Sequence, residues 1–240
     1  MLKRIRVIIP VNTPIWNQAV LQDLDSFKSP ETSLEVVNLK KGIPSVETHF
    51  DEAWVIPFTL EEALKAEEEG CHGALIYCTA DPALLACKEA LRIPVVGIGE
   101  AAFFLAAYLG KRFAILSPGP SLPFDVGPEV DNIKVYGLEK QCVGLKPLEI
   151  PVLDLERDRE AVLEKLIQAG KEMVKRGADV LVLGCGALLG LEERLSAVLQ
   201  VPVIVPGRVA LKLCESLIEL GLAQSKRAFP LPGFNKEVTL

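Results

Sequence analysis

The sequence predicts an α/β protein of two pseudo-symmetric lobes, each a parallel four-stranded sheet flanked by helices, with the active site in the interlobe cleft. Three observations carry this reading. Short β-branched runs alternate with helical patterns along the 240 residues, as in βαβ units. Residues 73–77 and 180–184 are apolar almost throughout, which suits strands covered by helices on both faces. The two halves also repeat at a nearly constant offset. Cys78 and Cys185 lie 107 positions apart, as do Gly70 and Gly177. Lys3-Arg4-Ile5 likewise maps onto Lys111-Arg112-Phe113, and Ile93-Pro94-Val95-Val96 onto Val201-Pro202-Val203-Ile204. A repeat of about a hundred residues is a duplicated domain, since solenoid arrays repeat every ~20–50.

In the first half, strands are expected at 5–11, 34–39, 73–77 and 95–98, and helices at 16–27, 60–69, 82–91 and 100–108. The helix at 60–69 illustrates the logic: Leu60, Ala63 and Leu64 fall at helical spacing, acidic residues crowd the other face, and Gly70 supplies the left-handed stop. Asp81-Pro82 marks the next helix start, with Asp as N-cap and Pro at the first helical position. The helix at 100–108 is apolar nearly all round, which suits the core or a homo-oligomer interface equally. In the second half, strands are expected at 113–116, 134–138, 180–184 and 203–205, and helices at 159–176, 188–199 and 207–220. The Pro/Gly-rich stretch 117–128 is a loop, and the tail from Phe229 reads as an irregular surface strip.

Composition narrows the function. A net charge of −6 with scattered basic residues argues against nucleic acid and anionic membranes as partners. No apolar stretch reaches the ~20 residues of a membrane span, and the N-terminus has no secretory h-region, so a cytoplasmic protein is expected. Six cysteines without a C-x-x-C pair form no disulfide framework, and free thiols are expected.

Cys78 and Cys185 each end an apolar strand, at the carboxyl edge where open α/β sheets bind ligands. A helix beginning just after each would favour the thiolate. Gly186 leaves backbone N–H groups near Cys185 open to an anionic oxygen. A lone cysteine after a strand reads as a small buried hydrophobe, the reading given to Cys71, Cys87, Cys142 (in a loop after the strand at 134–138) and Cys214. Two at equivalent ends of duplicated strands suggest a shared role. One thiolate abstracts a proton while the opposite thiol donates one, and a stereocentre between them inverts.

Rival motifs are weaker. Gly97-Ile98-Gly99-Glu100-Ala101-Ala102 fits a dinucleotide fingerprint, but the next strand ends at Leu116-Ser117-Pro118 without the ribose-binding acid. A tight strand-to-helix turn at the cleft floor is the favoured reading, and no cofactor is expected. Gly184-Cys185-Gly186 resembles a nucleophile elbow, which needs a nearby histidine. His72 falls at the wrong end of its strand, and His49 reads as a half-buried loop residue. Two histidines without spaced cysteines give no metal site. A small-ligand binder without catalysis also stands as an alternative.

With these residues in hand, the chain resembles the aspartate/glutamate racemase superfamily, and within it the hydantoin racemase branch. The similarity runs through Pro10-Val11-Asn12-Thr13, Ser45-Val46-Glu47-Thr48, Cys78-Thr79-Ala80-Asp81-Pro82, the branch-specific run from Pro94 to Ala102, and Leu183-Gly184-Cys185-Gly186. The resemblance implies cofactor-independent racemisation by two facing thiols, Cys78 and Cys185. Substrate contacts would come from Asn12, Thr79, Ser117 and the Gly186 backbone. It also implies lobes at 1–104 and 105–206, a helix at 207–222 crossing back to complete the first, and a tail at 223–240. Ser117-Pro118 stands where the family often has two hydroxyl residues, and Val205-Pro206 where an acid is common. Arg208 lies close by, able to meet a carboxylate or solvent. Retention of both thiols favours a racemase over the superfamily's one-cysteine decarboxylases. A 5-substituted hydantoin is the first substrate expected, and an acidic amino acid the second.

Overall fold

The computed structural model describes residues 2–120 and 127–233. The expected positions 121–126 of the Pro/Gly-rich loop and 234–240 of the tail lie outside that range. The first lobe runs β1 (Lys3–Ile9), α1 (Asn17–Phe27), β2 (Thr32–Asn38), α2 (His49–Glu68), β3 (Gly73–Ile76), α3 (Leu84–Ala90), β4 (Val95–Gly97) and α4 (Ile98–Leu109). The second runs β5 (Phe113–Ser117), α5 (Pro128–Val135), β6 (Cys142–Pro147), α6 (Arg159–Lys175), β7 (Val180–Leu183), α7 (Glu192–Leu199) and β8 (Val203–Ile204), followed by α8 (Pro206–Glu219). Both sheets are parallel and share one topology, β2-β1-β3-β4 and β6-β5-β7-β8. The central strands β3 and β7 are buried at every residue. None of the described helices is long and apolar enough to cross a membrane.

Three expectations fail for local reasons. The strand expected at 134–138 is the end of α5 and the turn after it, where Gly137 at φ +71° closes the helix and Val130 and Ile133 face the core. The strand of that unit is β6, so Cys142 opens a strand rather than sitting in a loop. Helix α2 begins eleven residues before the expected Leu60, because Thr48 and Asp51 close a capping box ahead of Pro57, which the helix carries inside it. Its expected core residue Leu64 is 39 % exposed. Helix α7 starts at Glu192 rather than 188, after Gly190 turns the chain at φ +72°.

Helix α8 packs on the first lobe, against α4, β3, β4 and α1. Its Glu215 is buried and accepts from the Ser29 N–H (2.7 Å), the Ser29 hydroxyl (2.9 Å) and the Thr32 hydroxyl (2.5 Å). Burial pushes that carboxyl up, but these donors and Lys212 outweigh it and hold it at about 2. Arg208, in the first turn of α8, donates to Asp23 of α1 at 2.6 and 3.1 Å, meets Glu192 of α7 at 2.7 Å, and lies over the Phe27 ring at 4.2 Å. It therefore pairs with protein carboxylates from both lobes. The chain after α8 stays with the first lobe: the Gln224 amide exchanges hydrogen bonds with Val95, and Lys226 donates to carbonyls at the end of α3. On α4, Ala102, Phe103 and Ala106 are buried while Phe104 and Tyr108 are exposed.

Candidate active site

β3 and β7 run apolar and buried to Ile76 and Leu183, and the chain then leaves each sheet through Tyr77-Cys78 and Gly184-Cys185. Because the strands are equivalent, both cysteines emerge at carboxyl ends, and both line one interlobe cavity. Ile9, Val11, Trp16 and Val46 supply much of its apolar wall. Its volume is about 70 Å3, on a measure by which one water needs ~10–15 Å3. That is room for a compact small molecule.

The thiols do not gain from helix termini as the sequence suggested. Helix α3 starts at Leu84, with Ala83 in a left-handed conformation ahead of it, and α7 starts seven residues past Cys185. Burial instead pushes both thiols up. Cys78 is held well above the usual thiol range, against a partial pull from the Ala80 N–H, and Cys185 stands at about 12. The Ala187 N–H meets the Cys185 sulfur at 3.4 Å. A charge on Glu129 counts against either thiolate.

Asp81 has a different role from the one expected. It sits in the left-handed region at φ +49° and caps α4 instead of α3, accepting from the Gly99 N–H (3.0 Å) and the Glu100 N–H (2.6 Å). The Tyr136 hydroxyl of the second lobe donates to it as well, at 2.8 Å. Any side chain at Gly97 or Gly99 would collide here, since an added Cβ would come within 2.3 Å of Asp81 Oδ1 or 2.2 Å of the Thr79 carbonyl. The glycines of the fingerprint-like run therefore serve this close packing beneath Cys78.

The remaining candidates divide. Thr79 and Ser117, both buried, donate their hydroxyls to the Gly184 carbonyl at 2.8 and 2.9 Å, and both line the cavity. Gly186 lines it too, and a Cβ there would lie 2.6 Å from Tyr77 Cε1, so the ring of Tyr77 requires glycine at 186. Asn12 is exposed, donates its amide to the Gly42 carbonyl at 2.8 Å, and is not among the lining residues. A short loop turns it away from the sheet edge that would have carried it into the cavity. His49 lies outside as well, as the first residue of α2, between Glu52 and Asp131. His72 accepts from the Arg4 N–H at 3.0 Å at the opposite end of the sheet.

Sequence reading gave no role to Glu47, Glu129 or Tyr77, all of which line the cavity. Glu47 lies within a quoted motif, and its carboxylate reaches across to the Val152 N–H of the second lobe at 3.3 Å. Glu129 fell between the Pro/Gly-rich stretch ending at 128 and the strand expected at 134, in neither. Tyr77 is 3 % exposed, and its hydroxyl has no partner among the described residues.

The model of the Asp/Glu/Hydantoin racemase family matches residues 7–214. The chain belongs to that family. Among curated racemases, it is 34 % identical to the hydantoin racemase of Pseudomonas sp. (strain NS671), over 93 % of this chain and 89 % of that one. It is 33 % identical to the hydantoin racemase of Paenarthrobacter aurescens, over 93 % and 94 %. Among solved structures, the allantoin racemase from Klebsiella pneumoniae superposes with a TM-score of 0.90 at 33 % identity, covering 99 % of this chain and 96 % of that one. Glutamate racemase from Francisella tularensis shares the fold, with a TM-score of 0.67 at 18 % identity over 96 % and 86 %. This Asp/Glu/hydantoin racemase family member is thus an isomerase of the racemase type, with two α/β lobes.

Proposed function

We propose that the protein racemises 5-substituted hydantoins without a cofactor, using Cys78 and Cys185 as opposed acid and base. The observation that carries the mechanism is that two thiols from equivalent strand ends line one small cavity. The thiolate on one side removes the hydrogen from C5, and the electron pair moves onto the adjacent ring carbonyl. The opposite thiol then gives its proton to the other face, the pair returns to carbon, and the sulfurs exchange roles for the other enantiomer. The ring carbonyls acidify C5, so the chemistry asks for no electron sink beyond the substrate.

The charge of the cavity supports a neutral ring over a free acidic amino acid. Among the described lining residues are two carboxyl groups, Glu47 and Glu129, and no Lys, Arg or His. A carboxylate substrate would be buried there with no cation to offset its charge. The relatives named for hydantoin and for allantoin point the same way, because allantoin is itself a hydantoin carrying a ureido group. The test is a panel of optically pure 5-substituted hydantoins, allantoin, aspartate and glutamate, followed by loss of optical rotation without added cofactor. Hydantoins should lose rotation and the amino acids keep theirs. Racemisation of aspartate or glutamate with hydantoins untouched would overturn the substrate assignment.

A further inference from the structure

Glu129 stands at the first turn of α5, with its carboxyl in the cavity beside both thiols. Its Oε1 lies 3.5 Å from the Thr79 hydroxyl oxygen and 3.3 Å from that of Ser117. Each hydroxyl has a single proton. Both direct it at the Gly184 carbonyl, at the shorter distances of 2.8 and 2.9 Å. What they turn toward Glu129 is therefore lone pairs. An ionised carboxylate there would face two acceptor oxygens, whereas a proton on the carboxyl converts the contact into a hydrogen bond.

The charged surroundings act in the same direction. Glu52 of α2 adds negative charge near Glu129, and Glu47 lines the same cavity. His49 lies between Glu52 and Asp131. Burial is the largest influence on the carboxyl and pushes it up, against its own N–H; the two hydroxyls would pull it down only by turning their protons from the Gly184 carbonyl to it. A charged Glu129 would also disfavour a thiolate at either Cys78 or Cys185, so a working base at either position asks for a neutral neighbour.

We propose that Glu129 is a third catalytic residue of this site, a protonated carboxyl that, once substrate is bound, turns its O–H from the two hydroxyls to the substrate carbonyl next to the reacting carbon. The inference rests on the racemisation proposed above and adds the group that receives the developing charge. As the thiolate removes the C5 proton, the electron pair moves to the carbonyl oxygen, and the hydrogen bond from Glu129 tightens on it. When the opposite thiol returns a proton to carbon, the pair flows back. Glu129 keeps its own proton throughout. The arrangement serves both directions, because one donor stands beside both sulfurs.

The experiment pairs a spectroscopic readout with a kinetic one. An infrared difference spectrum at neutral pH, wild type minus Glu129→Gln, should contain the carbonyl stretch of a protonated carboxylic acid. Racemisation should fall about 10²–10³-fold in kcat in Glu129→Leu, as when an oxyanion donor is lost. Glu129→Gln, which is neutral and still a donor, should lose tenfold or less. Absence of the band overturns the proposal, because the carboxyl is then ionised. So does a Gln variant as slow as Leu, or a Leu variant as fast as wild type. A wild type that shows the band but racemises no hydantoin refutes the racemisation reading instead, so the two failures are distinguishable.

Discussion

The loops that follow Cys78 and Cys185 occupy equivalent places in the duplicated lobes, yet different chemistry fixes them. Beyond Cys78 the chain is Thr79-Ala80-Asp81, tied by polar contacts: Asp81 accepts from two N–H groups of α4 and from Tyr136, and the Asn132 amide donates to the Ala80 carbonyl at 2.6 Å. Beyond Cys185 it is Gly186-Ala187-Leu188, seated by packing, with Leu188 fully buried and Gly186 pressed against the Tyr77 ring. The polar loop is also the one that second-lobe side chains reach, so it couples the lobes as well as carrying a thiol. Duplication has thus kept the position of the sulfur and let its support diverge. In the two-thiol scheme proposed above, two sulfurs must stand in opposed places, and the loops behind them have no need to match.

The largest expected effects fall on the sulfurs themselves. Cys78→Ser and Cys185→Ser should each reduce racemisation by at least ~10³-fold, because serine lacks the acid–base strength of a thiol. A variant that keeps most of its turnover would make the two positions unequal in function as well as in support. The loop anchors come next. Leu188→Ala should cost about 2–5 kcal/mol through the cavity it leaves. The paired position Asp81→Ala should cost about 1–2 kcal/mol through the lost cap on α4. Urea melts of both variants check this, and a reversed order would mean that the polar loop is the stiffer support. Gly186→Ala should cost about 1–3 kcal/mol, since its Cβ meets Tyr77. Thr79→Val, at the matching position, should cost about 1 kcal/mol for the hydrogen bond to Gly184.

A pH series sharpens the same comparison. Burial raises the folded-state values of Cys185, Cys87 and Cys214 to about 12 each, and of Cys78 well above the free thiol. The stability held by such groups is fully present below the unfolded thiol value of about 8.5 and is lost as pH rises from there toward the folded value. Thermal melts should therefore fall above that pH, by about 1.4 kcal/mol per pH unit for each thiol. Activity should move the other way and climb with pH for as long as Glu129 keeps its proton, because the reactive thiolate is scarce at neutrality. Replacing Cys185 by Ala should remove one thiol's share of the alkaline loss in the melts.

Much of the fold was legible, because it rests on features that a single sequence displays. The offset between Cys78 and Cys185 marks the duplication, and the apolar runs into Ile76 and Leu183 mark strands covered on both faces. The errors lie where local pattern and tertiary setting disagree. Residues 134–138 alternate like a strand, yet the preceding Pro128 starts a helix that Gly137 ends. Of the candidate site, Thr79 and Gly186, next to the two cysteines, and Ser117, at the end of β5, reach the cavity along with the thiols. Asn12 does not, because the loop it belongs to leaves the sheet and pairs with Gly42. Glu129 was invisible for a physical reason: its place depends on how α5 of one lobe faces the Cys78 loop of the other, which no local motif encodes. The thiol acidity was misjudged because α3 and α7 begin well past the cysteines and burial raises both thiols.

The account rests on each face of one carbon meeting its own sulfur, and deuterium labelling tests that most directly. Racemisation of one pure hydantoin enantiomer in deuterated water is stopped early, and both enantiomers are separated and weighed for deuterium at C5. Two opposed thiols predict deuterium in the newly formed enantiomer and protium in the unreacted one. Deuterium in both alike, or protium carried over into the product, would mean a single base serves both faces and would contradict the account.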